Sequence, residues 1–447
     1  MNHLVNIHRI HAVLGMLVII AIGYALSMDR RAISWKEIRL WLFLQPVAAI
    51  ICAPRNAWSL AGIVSLAVQK FAHMTSAGAS FIWGDEMANP NGLLGFVFAA
   101  QVLPSIVCFY ALIEVVAYIS SRPEMSRSVK SAMDKVASYL GLSGAEAVVA
   151  VAKIFIGHTQ TPALVGEQLK TLPQYSLLTI MTLGFATMSG ELFTVYAGMI
   201  ATHEVTDQAT GKVTDIVNEL VMTEAIAHIF ASTIMSIPAA ILISRILMPR
   251  GVDSVPIVSE ELSELVDHSK RIPQSTSEVG SLFEAVVVGA QKGVSIAISI
   301  AAVLLALLGL LKAINFVCAY TVGHPVQDCL GYFLQPICWL FGFHWDECYR
   351  VGRPVGLGIV GTEFLAFKAL SDEIQKAGGE MGGGSWQALA IYPICSFASL
   401  PSIAIQVGAL TALVPNRRSV FVELAPRAAL GGFLASCMST CFAAILC

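Results

Sequence analysis

Long apolar stretches alternate with short polar segments along the whole chain. Each stretch comes close to the ~20 residues that an α-helix needs to cross the hydrocarbon core of a bilayer. The pattern predicts eight transmembrane helices, at about residues 10–27, 35–53, 94–120, 173–201, 225–248, 291–316, 385–414 and 423–446. The predicted fold class is therefore an all-α polytopic membrane protein.

Two further hydrophobic stretches, at about 136–168 and 350–380, are interrupted in the middle by glycine, proline and polar residues. The interruptions read GHTQTP in the first stretch and GRPVGLGIVGTE in the second. We interpret the two stretches as re-entrant helical hairpins that enter the membrane from opposite sides, and two ordinary kinked helices are the alternative. Irregular backbone at this depth is tolerated only where it is buried in protein or lines a wet cavity.

The order span, hairpin, span, span occurs twice with opposite orientation, in residues 94–250 and 291–447. Such an inverted repeat is typical of secondary transporters, whose binding sites lie near the midplane between the interrupted segments. Residues 1–93 are predicted to form N-terminal membrane helices and an interfacial helix that act as a scaffold. Residues 251–290 are predicted to be a cytoplasmic linker, with an interfacial helix indicated by the apolar spacing of 273–293.

Composition and charge agree with this interpretation. Hydrophobic residues make up 56% of the chain and charged residues 13%, against roughly 25% charged residues in soluble domains. A net charge of −3 does not indicate the excess of basic residues that is typical of nucleic-acid-binding proteins. Basic residues are concentrated near 29–31, 122–135, 245–250 and 417–418, and are few in 202–219 and 318–350. The positive-inside rule then predicts a multi-pass protein of the cell membrane with both termini outside the cytoplasm.

Four motifs resemble those of the concentrative nucleoside transporters, the animal-type branch in particular. They are AGASFIWGDE at 77–86, VLPSIVCFYALIEVVAYI at 102–119, GTEFLAFKALS at 361–371 and ICSFASLPSIAIQVGALTALVPNRRS at 394–419. Their order is that of the family over nearly the full length. The resemblance implies a homotrimer that moves nucleosides, or nucleoside-like small polar solutes, by an elevator-type alternating-access mechanism. It also implies the two opposed hairpins.

The resemblance further implies a substrate site between the hairpin tips. The positions that match it are His158, Thr159, Gln160, Glu363, Ser399 and Ser402. Glu363 keeps the family's ribose-binding glutamate, whereas Gln160 stands where the family has a substrate-site and coupling glutamate. Ser399 replaces a substrate-binding asparagine, and Ser402 is the family's serine. His158 either contacts the solute or accepts a proton, or it only completes a hydrogen bond.

A second set of residues matches the family's sodium site in degenerate form. The set is Lys153, Ile156, Thr187, Met188 and Glu191. Because Lys153 stands where the family has a sodium-binding asparagine, we expect transport without sodium coupling and no cofactor. Glu191 lies one turn after Thr187, and a single buried charge is costly, so we expect Lys153 and Glu191 to form an ion pair. In the alternatives Lys153 snorkels to an interface while Glu191 faces water, or Lys153 titrates and couples transport to protons.

Other classes of function have weaker support in the sequence. HExxH, Walker and nucleophile-elbow motifs do not occur, so we expect neither catalytic residues nor a metal site. A carrier of another polar solute and a non-transporting substrate sensor on the same fold are the alternatives. Cys318, Cys329, Cys338 and Cys348 fall in the segment predicted to lie outside, where disulfides can form, but their pairing cannot be deduced.

Overall fold

The computed structural model describes residues 2–54, 59–88, 97–101, 103–120, 135, 137–157, 161–206, 213–250, 280–378, 381 and 385–446. These residues are mainly helical, as predicted. The all-α expectation is corrected at one place, where β1 (Thr202–Thr206) pairs antiparallel with β2 (Val213–Val217). Both segments are rich in the β-branched residues that favour strands.

The first half of the chain contains short and long helices in alternation. They are α1 (Asn2–Ala25), α2 (Trp35–Cys52), α3 (Leu60–Trp83), α4 (Asp85–Ala88), α5 (Phe98–Gln101), α6 (Leu103–Ser120), α7 (Gly144–Ala152), α8 (Gly166–Leu169), α9 (Gln174–Ala186) and α10 (Phe193–Ala201), with 3-10 turns at Thr161–Val165 and Gly190–Leu192. We call the segment from α7 to α8 hairpin 1.

The second half contains the longest helices. They are α11 (Glu219–Leu247), α12 (Leu282–Thr321), α13 (Val326–Leu340), α14 (Trp345–Val360), α15 (Glu363–Lys376), α16 (Trp386–Ile394), α17 (Leu400–Leu413) and α18 (Arg418–Leu446), with a 3-10 turn at Pro415–Arg417. We call α14 and α15 hairpin 2. Within the described residues, four segments are long and apolar enough to cross a membrane: Ala99–Ile119, α11, α12 and Pro415–Leu446.

Two spans predicted to be continuous are broken in the middle. The span predicted at 173–201 consists of α9 and α10, separated by non-helical backbone that includes Thr187–Ser189 (the first break). The span predicted at 385–414 consists of α16 and α17, separated by Cys395–Ser399 (the second break). Hydropathy could not reveal either break, because small and apolar side chains fill both of them.

Two boundaries in the second half also differ from the prediction. α12 is one helix of 40 residues, so the interfacial helix expected at 273–293 is, from Leu282 onward, the first part of α12. α13 is a helix that we did not predict within the segment 318–350. The cysteines of this segment are free thiols, and Cys338 and Cys348 are buried.

Helices α11 and α18 form the centre of the molecule. α11 packs against α2, α3, α9, α10, α16 and α18, and α18 also packs against α1, α9, α16 and α17. Gly432 of α18 permits the close contact with α9, because a Cβ at this position would lie 2.4 Å from the Cβ of Phe185. Small residues at such contacts let helix backbones approach in membrane proteins.

Helices α6 and α12 form a separate close pair. A Cβ at Gly289 would lie 2.6 Å from the Cα of Ala111, and one at Gly293 would lie 2.6 Å from the Cα of Val107. Gly289 and Gly293 are spaced as in a GxxxG motif, which brings two membrane helices together. Other faces of α12 remain exposed and apolar, with Leu305 at 76% exposure.

A buried cluster of charges joins hairpin 1 to α11 and α2. Arg245 of α11 donates from Nη2 to both carboxylate oxygens of Glu146, at 2.8 and 3.0 Å, and both side chains are buried. Glu146 also completes a capping box with Ser143 at the start of α7. Glu37 of α2 lies 3.9 Å from Arg245 Nε and 3.1 Å from Arg250 Nη1. The ion pair therefore fixes the first helix of hairpin 1 against α11.

We expect Glu146→Gln to destabilise the protein strongly, because breaking a buried ion pair typically costs about 3–5 kcal/mol. Glu167→Gln is the matched control, since the Glu167–Lys170 pair is exposed and exposed pairs contribute little. The melting temperatures of the purified variants provide the measurement. Equal shifts for the two variants would contradict a stabilising role for the Glu146–Arg245 pair.

Candidate substrate site

The tip of hairpin 1 contacts the first break. α7 ends at Ala152, and the turn that follows is closed by a hydrogen bond from the Ile156 N–H to the Ala152 carbonyl at 2.8 Å. The Gly190 N–H donates to the Ile154 carbonyl at 3.1 Å, which joins this turn to the end of the first break. His158, Thr159 and Gln160 lie outside the described residues, so their roles stay predictions.

Lys153 lies inside the protein. Its side chain is 0% exposed, although the neighbouring Val151 is 51% exposed. Its Nζ lies 5.6 Å from the ring centroid of Phe397, which belongs to the second break. The alternative in which Lys153 snorkels to an interface is therefore wrong. The side chain of Glu191 lies outside the described part of the structure, so the Lys153–Glu191 ion pair stays a prediction.

The two breaks are bonded to each other. The Phe185 carbonyl, at the end of α9, accepts hydrogen bonds from the Phe397 N–H at 2.8 Å and the Ser396 hydroxyl at 3.2 Å. Gln406 of α17 donates from Nε2 to the Met181 carbonyl of α9 at 3.2 Å. The second broken helix thus supplies donors to carbonyls of the first, and the breaks meet in the protein interior.

Helix α11 supports both breaks from one side. Ser232 donates its hydroxyl to the Tyr392 carbonyl in the last turn of α16, at 3.4 Å. The next residue, Thr233, donates to the Met188 carbonyl in the first break, at 3.4 Å. His228, one turn earlier, lies with Nδ1 3.2 Å from the Tyr392 hydroxyl. Ser232 and Thr233 thus contact carbonyls that helix geometry leaves open at a break.

The predicted sodium-site oxygens already have hydrogen bonds within the protein. The Thr161 hydroxyl lies 3.1 Å from the Ile156 carbonyl and 2.8 Å from the Gly157 carbonyl. The Thr233 hydroxyl lies 3.4 Å from the Met188 carbonyl and 3.0 Å from the Ile229 carbonyl. The Thr187 hydroxyl donates to the Leu183 carbonyl at 2.7 Å. Thr187 and Met188 are fully buried.

Glu363 lies at the tip of hairpin 2, as the first residue of α15. Its Oε1 accepts a hydrogen bond from the Tyr196 hydroxyl of α10 at 3.2 Å. Within the described residues, neither its Oε2 nor the hydroxyl of the preceding Thr362 has a hydrogen-bond partner, although both are buried. A carboxylate oxygen and a hydroxyl are thus available to a polar ligand, since buried polar atoms normally have partners.

Tyr196 is the residue of this site that sequence reasoning missed. Its ring stacks on Phe367 at a centroid distance of 4.4 Å and lies 4.8 Å from Phe364. The two phenylalanines of α15 thereby hold the tyrosine hydroxyl against Glu363. Because Tyr196 stands in an apolar stretch without a recognisable motif, its contact with a residue 167 positions away gave no sequence signal.

Ser399 and Ser402 lie together at the start of α17. The Ser399 hydroxyl donates to Ser402 Oγ at 2.7 Å and accepts from the Ser402 N–H at 3.3 Å. Ser399 is therefore the N-cap of α17, and both side chains are buried. The capping role accounts for the serine at this position and orients the second break.

Comparisons with known proteins agree with this architecture. The family models for the N-terminus and the C-terminus of Na+ dependent nucleoside transporters match residues 14–86 and 228–444. The chain belongs to the concentrative nucleoside transporter family. Among its relatives, the nucleoside permease NupC of Helicobacter pylori is 27% identical, with 97% of each chain covered. The rat sodium/nucleoside cotransporter 1 is 28% identical, and the match covers 97% of this chain and 63% of the cotransporter.

Solved structures of the transporter CNTnw share the fold. CNTnw in an inward-facing substrate-bound state has a TM-score of 0.82 and 26% identity, with 98% of each chain covered. A doubly substituted CNTnw in an outward-facing state has a TM-score of 0.80 and 25% identity, covering 98% of this chain and 97% of that one. The relatives are transporters and not enzymes, and this agrees with the function class expected from the sequence.

Proposed function

We propose that this protein carries nucleosides, or small polar solutes with a similar sugar, across the cell membrane by alternating access. The main support is the tip of hairpin 2, where Glu363 Oε2 and Thr362 Oγ1 are buried and have no hydrogen-bond partner among the described residues. A carboxylate next to a hydroxyl suits the vicinal hydroxyls of a ribose, because charge-assisted hydrogen bonds are about twice as strong as neutral ones.

The Tyr196 hydroxyl has a positioning role in this proposal. It bonds Glu363 Oε1 and so directs Oε2 towards the ligand. Ser399 and Ser402 contribute to the substrate site from the second break, which they also orient, and His158, Thr159 and Gln160 complete the site from hairpin 1. The names of the relatives support nucleosides as the substrate class, and the inward-facing and outward-facing forms of CNTnw support alternating access.

For the membrane arrangement we propose eight crossings with two re-entrant hairpins between them. The crossings are α1, α2, α5–α6, α9–α10, α11, α12, α16–α17 and α18, and the re-entrant elements are hairpins 1 and 2. Both termini lie outside the cytoplasm, and the protein forms a homotrimer surrounded by lipid. The exposed apolar faces of α6 and α12 support contacts with lipid or with further copies.

We further propose that transport does not depend on sodium. The ammonium of Lys153 is fixed inside the protein against Phe397, and a fixed cation next to the site opposes the binding of a mobile one. Lys153 stands where the resemblance places a sodium-binding asparagine, and an ammonium group has no lone pair with which to coordinate a cation. The residues of the degenerate site therefore do not fit sodium, and coupling to protons through Lys153 is the alternative.

The first test is uptake of radiolabelled uridine into proteoliposomes. We expect uptake to continue when choline replaces sodium at constant pH, and collapse of the proton gradient separates the proton-coupled alternative from an uncoupled carrier. A sodium-coupled relative in the same vesicles is the control. Loss of uptake in choline would contradict sodium independence, and uridine binding without any uptake would indicate a sensor.

The second test concerns Glu363. We expect Glu363→Gln to weaken uridine binding by about 1.5–3 kcal/mol, the net contribution of a hydrogen bond to a charged group, because the neutral amide removes the charge that strengthens this bond. Isothermal titration calorimetry of the purified protein measures the change, and Glu219→Gln, at an exposed glutamate, is the control. Unchanged affinity in a well-folded Glu363→Gln protein would remove Glu363 from the site.

The third test is a double-mutant cycle on Lys153 and Glu191. If the two form a buried pair, Lys153→Asn and Glu191→Thr each leave an uncompensated charge, which typically costs about 3–5 kcal/mol. The double variant has no orphan charge, so its loss of melting temperature should be smaller than the sum of the single losses. Strictly additive losses would show that the two side chains do not meet.

A further inference from the structure

A cavity lies between α12 and hairpin 2. Its volume is about 210 Å³, and neither Glu363 nor Lys153 lines it. Its walls come from α12, from the first turn of α13 and from both helices of hairpin 2. Asn315 joins two of these walls, because its side chain bonds both Gln327 and the Val326 N–H of α13.

Cationic side chains exceed acidic ones around this cavity. The lining contains Lys312, Arg353, Lys368 and Lys376 against Asp372 and Glu373. Glu373 is shared by Arg353 and Lys376, and Asp372 pairs with Lys368 at 3.0 Å. Asp328 lies 2.9 Å from Arg353 and adds a third acidic partner to the cluster. One cationic side chain is still in excess.

The excess charge is on α12. Among the described residues, no acidic side chain forms an ion pair with Lys312. The other two lysines are accessible, with side-chain exposures of 57% for Lys368 and 63% for Lys376. A negatively charged group could therefore contact all three lysines without first removing a buried ion pair.

The cavity is polar at one end and apolar at the other. On both helices of hairpin 2 the leucines, Leu357 and Leu365, lie nearer to the tip than the charged lining residues. On α12, Leu308 precedes Lys312 by one turn. The three helices thus line one end with leucines and the other with lysines.

We propose that this cavity binds an anionic lipid. The phosphate of the headgroup contacts Lys312, Lys368 and Lys376, and an acyl chain lies along Leu308, Leu357 and Leu365. The apolar end favours a lipid over a soluble anion, since free phosphate would leave the leucines without a partner.

The lipid would add a direct link between α12 and hairpin 2, which otherwise meet through α13. α12 pairs with α6 and also contacts α13, whereas hairpin 2 packs on α13, α10 and α16. This consequence rests on the proposed alternating access: if hairpin 2 moves past α12 during transport, the bound lipid resists or assists that movement. Lipid binding itself can be tested without any measurement of transport, so the two proposals fail independently.

Native mass spectrometry of the full-length protein in detergent provides the test. The protein is titrated with dioleoyl phosphatidylglycerol and with dioleoyl phosphatidylcholine, which have the same acyl chains and differ in headgroup charge. We expect preferential binding of phosphatidylglycerol, weakened about fivefold by Lys312→Gln and restored by Lys312→Arg. Lys70→Gln, at an exposed lysine of α3, is the matched control.

Three results would overturn the proposal. They are equal binding of the two lipids, equal losses in Lys312→Gln and Lys70→Gln, and displacement of phosphatidylglycerol by inorganic phosphate at millimolar concentration. The last result would assign the cavity to a soluble anion. Lys376→Gln provides a second variant, because Glu373 retains Arg353 as its partner. It should weaken phosphatidylglycerol binding to a similar extent.

Discussion

The hydrogen bonds between the two broken helices are the constraint on which the site depends. Away from water, every unsatisfied N–H or carbonyl costs several kcal/mol, so a helix can be broken inside a membrane protein only where other groups replace its bonds. Here the Phe185 carbonyl accepts hydrogen bonds from the Phe397 N–H and the Ser396 hydroxyl. The hydroxyls of Ser232 and Thr233 on α11 contact the open carbonyls of Tyr392 and Met188. Each break is tolerated because the other break and α11 lie beside it.

This arrangement places irregular backbone and polar side chains in one buried region. The turn of hairpin 1 contacts the first break through Gly190, and Lys153 lies against Phe397 of the second. Hairpin 2 is held by the Tyr196–Glu363 bond. A solute bound there would touch elements from both of the predicted inverted repeats, which suits the proposed carrier that exposes one site to two sides in turn.

Ion pairs occur at both hairpins, next to this buried region. Arg245 and Glu146 fix α7 against α11, where both partners are buried and mutually compensated. At hairpin 2 the pairs are more exposed and cations are in excess, which leaves charge for an external partner. Charged residues thus stabilise hairpin 1 through an internal ion pair, whereas those of hairpin 2 remain able to bind the proposed anionic lipid.

The sequence alone determined the helical membrane class and the family, and it predicted the spans and the role of Glu363, because segment length, hydropathy and motif spacing are local properties. It also identified Lys153 as a cation in an apolar segment. Only the tertiary structure decided where two spans break, that Lys153 turns inward and that Tyr196 bonds Glu363. These features depend on contacts between residues far apart in the chain: Phe185 with Phe397, and Tyr196 with Glu363. Hydropathy averages over a window and cannot register which distant donor replaces a missing helix bond.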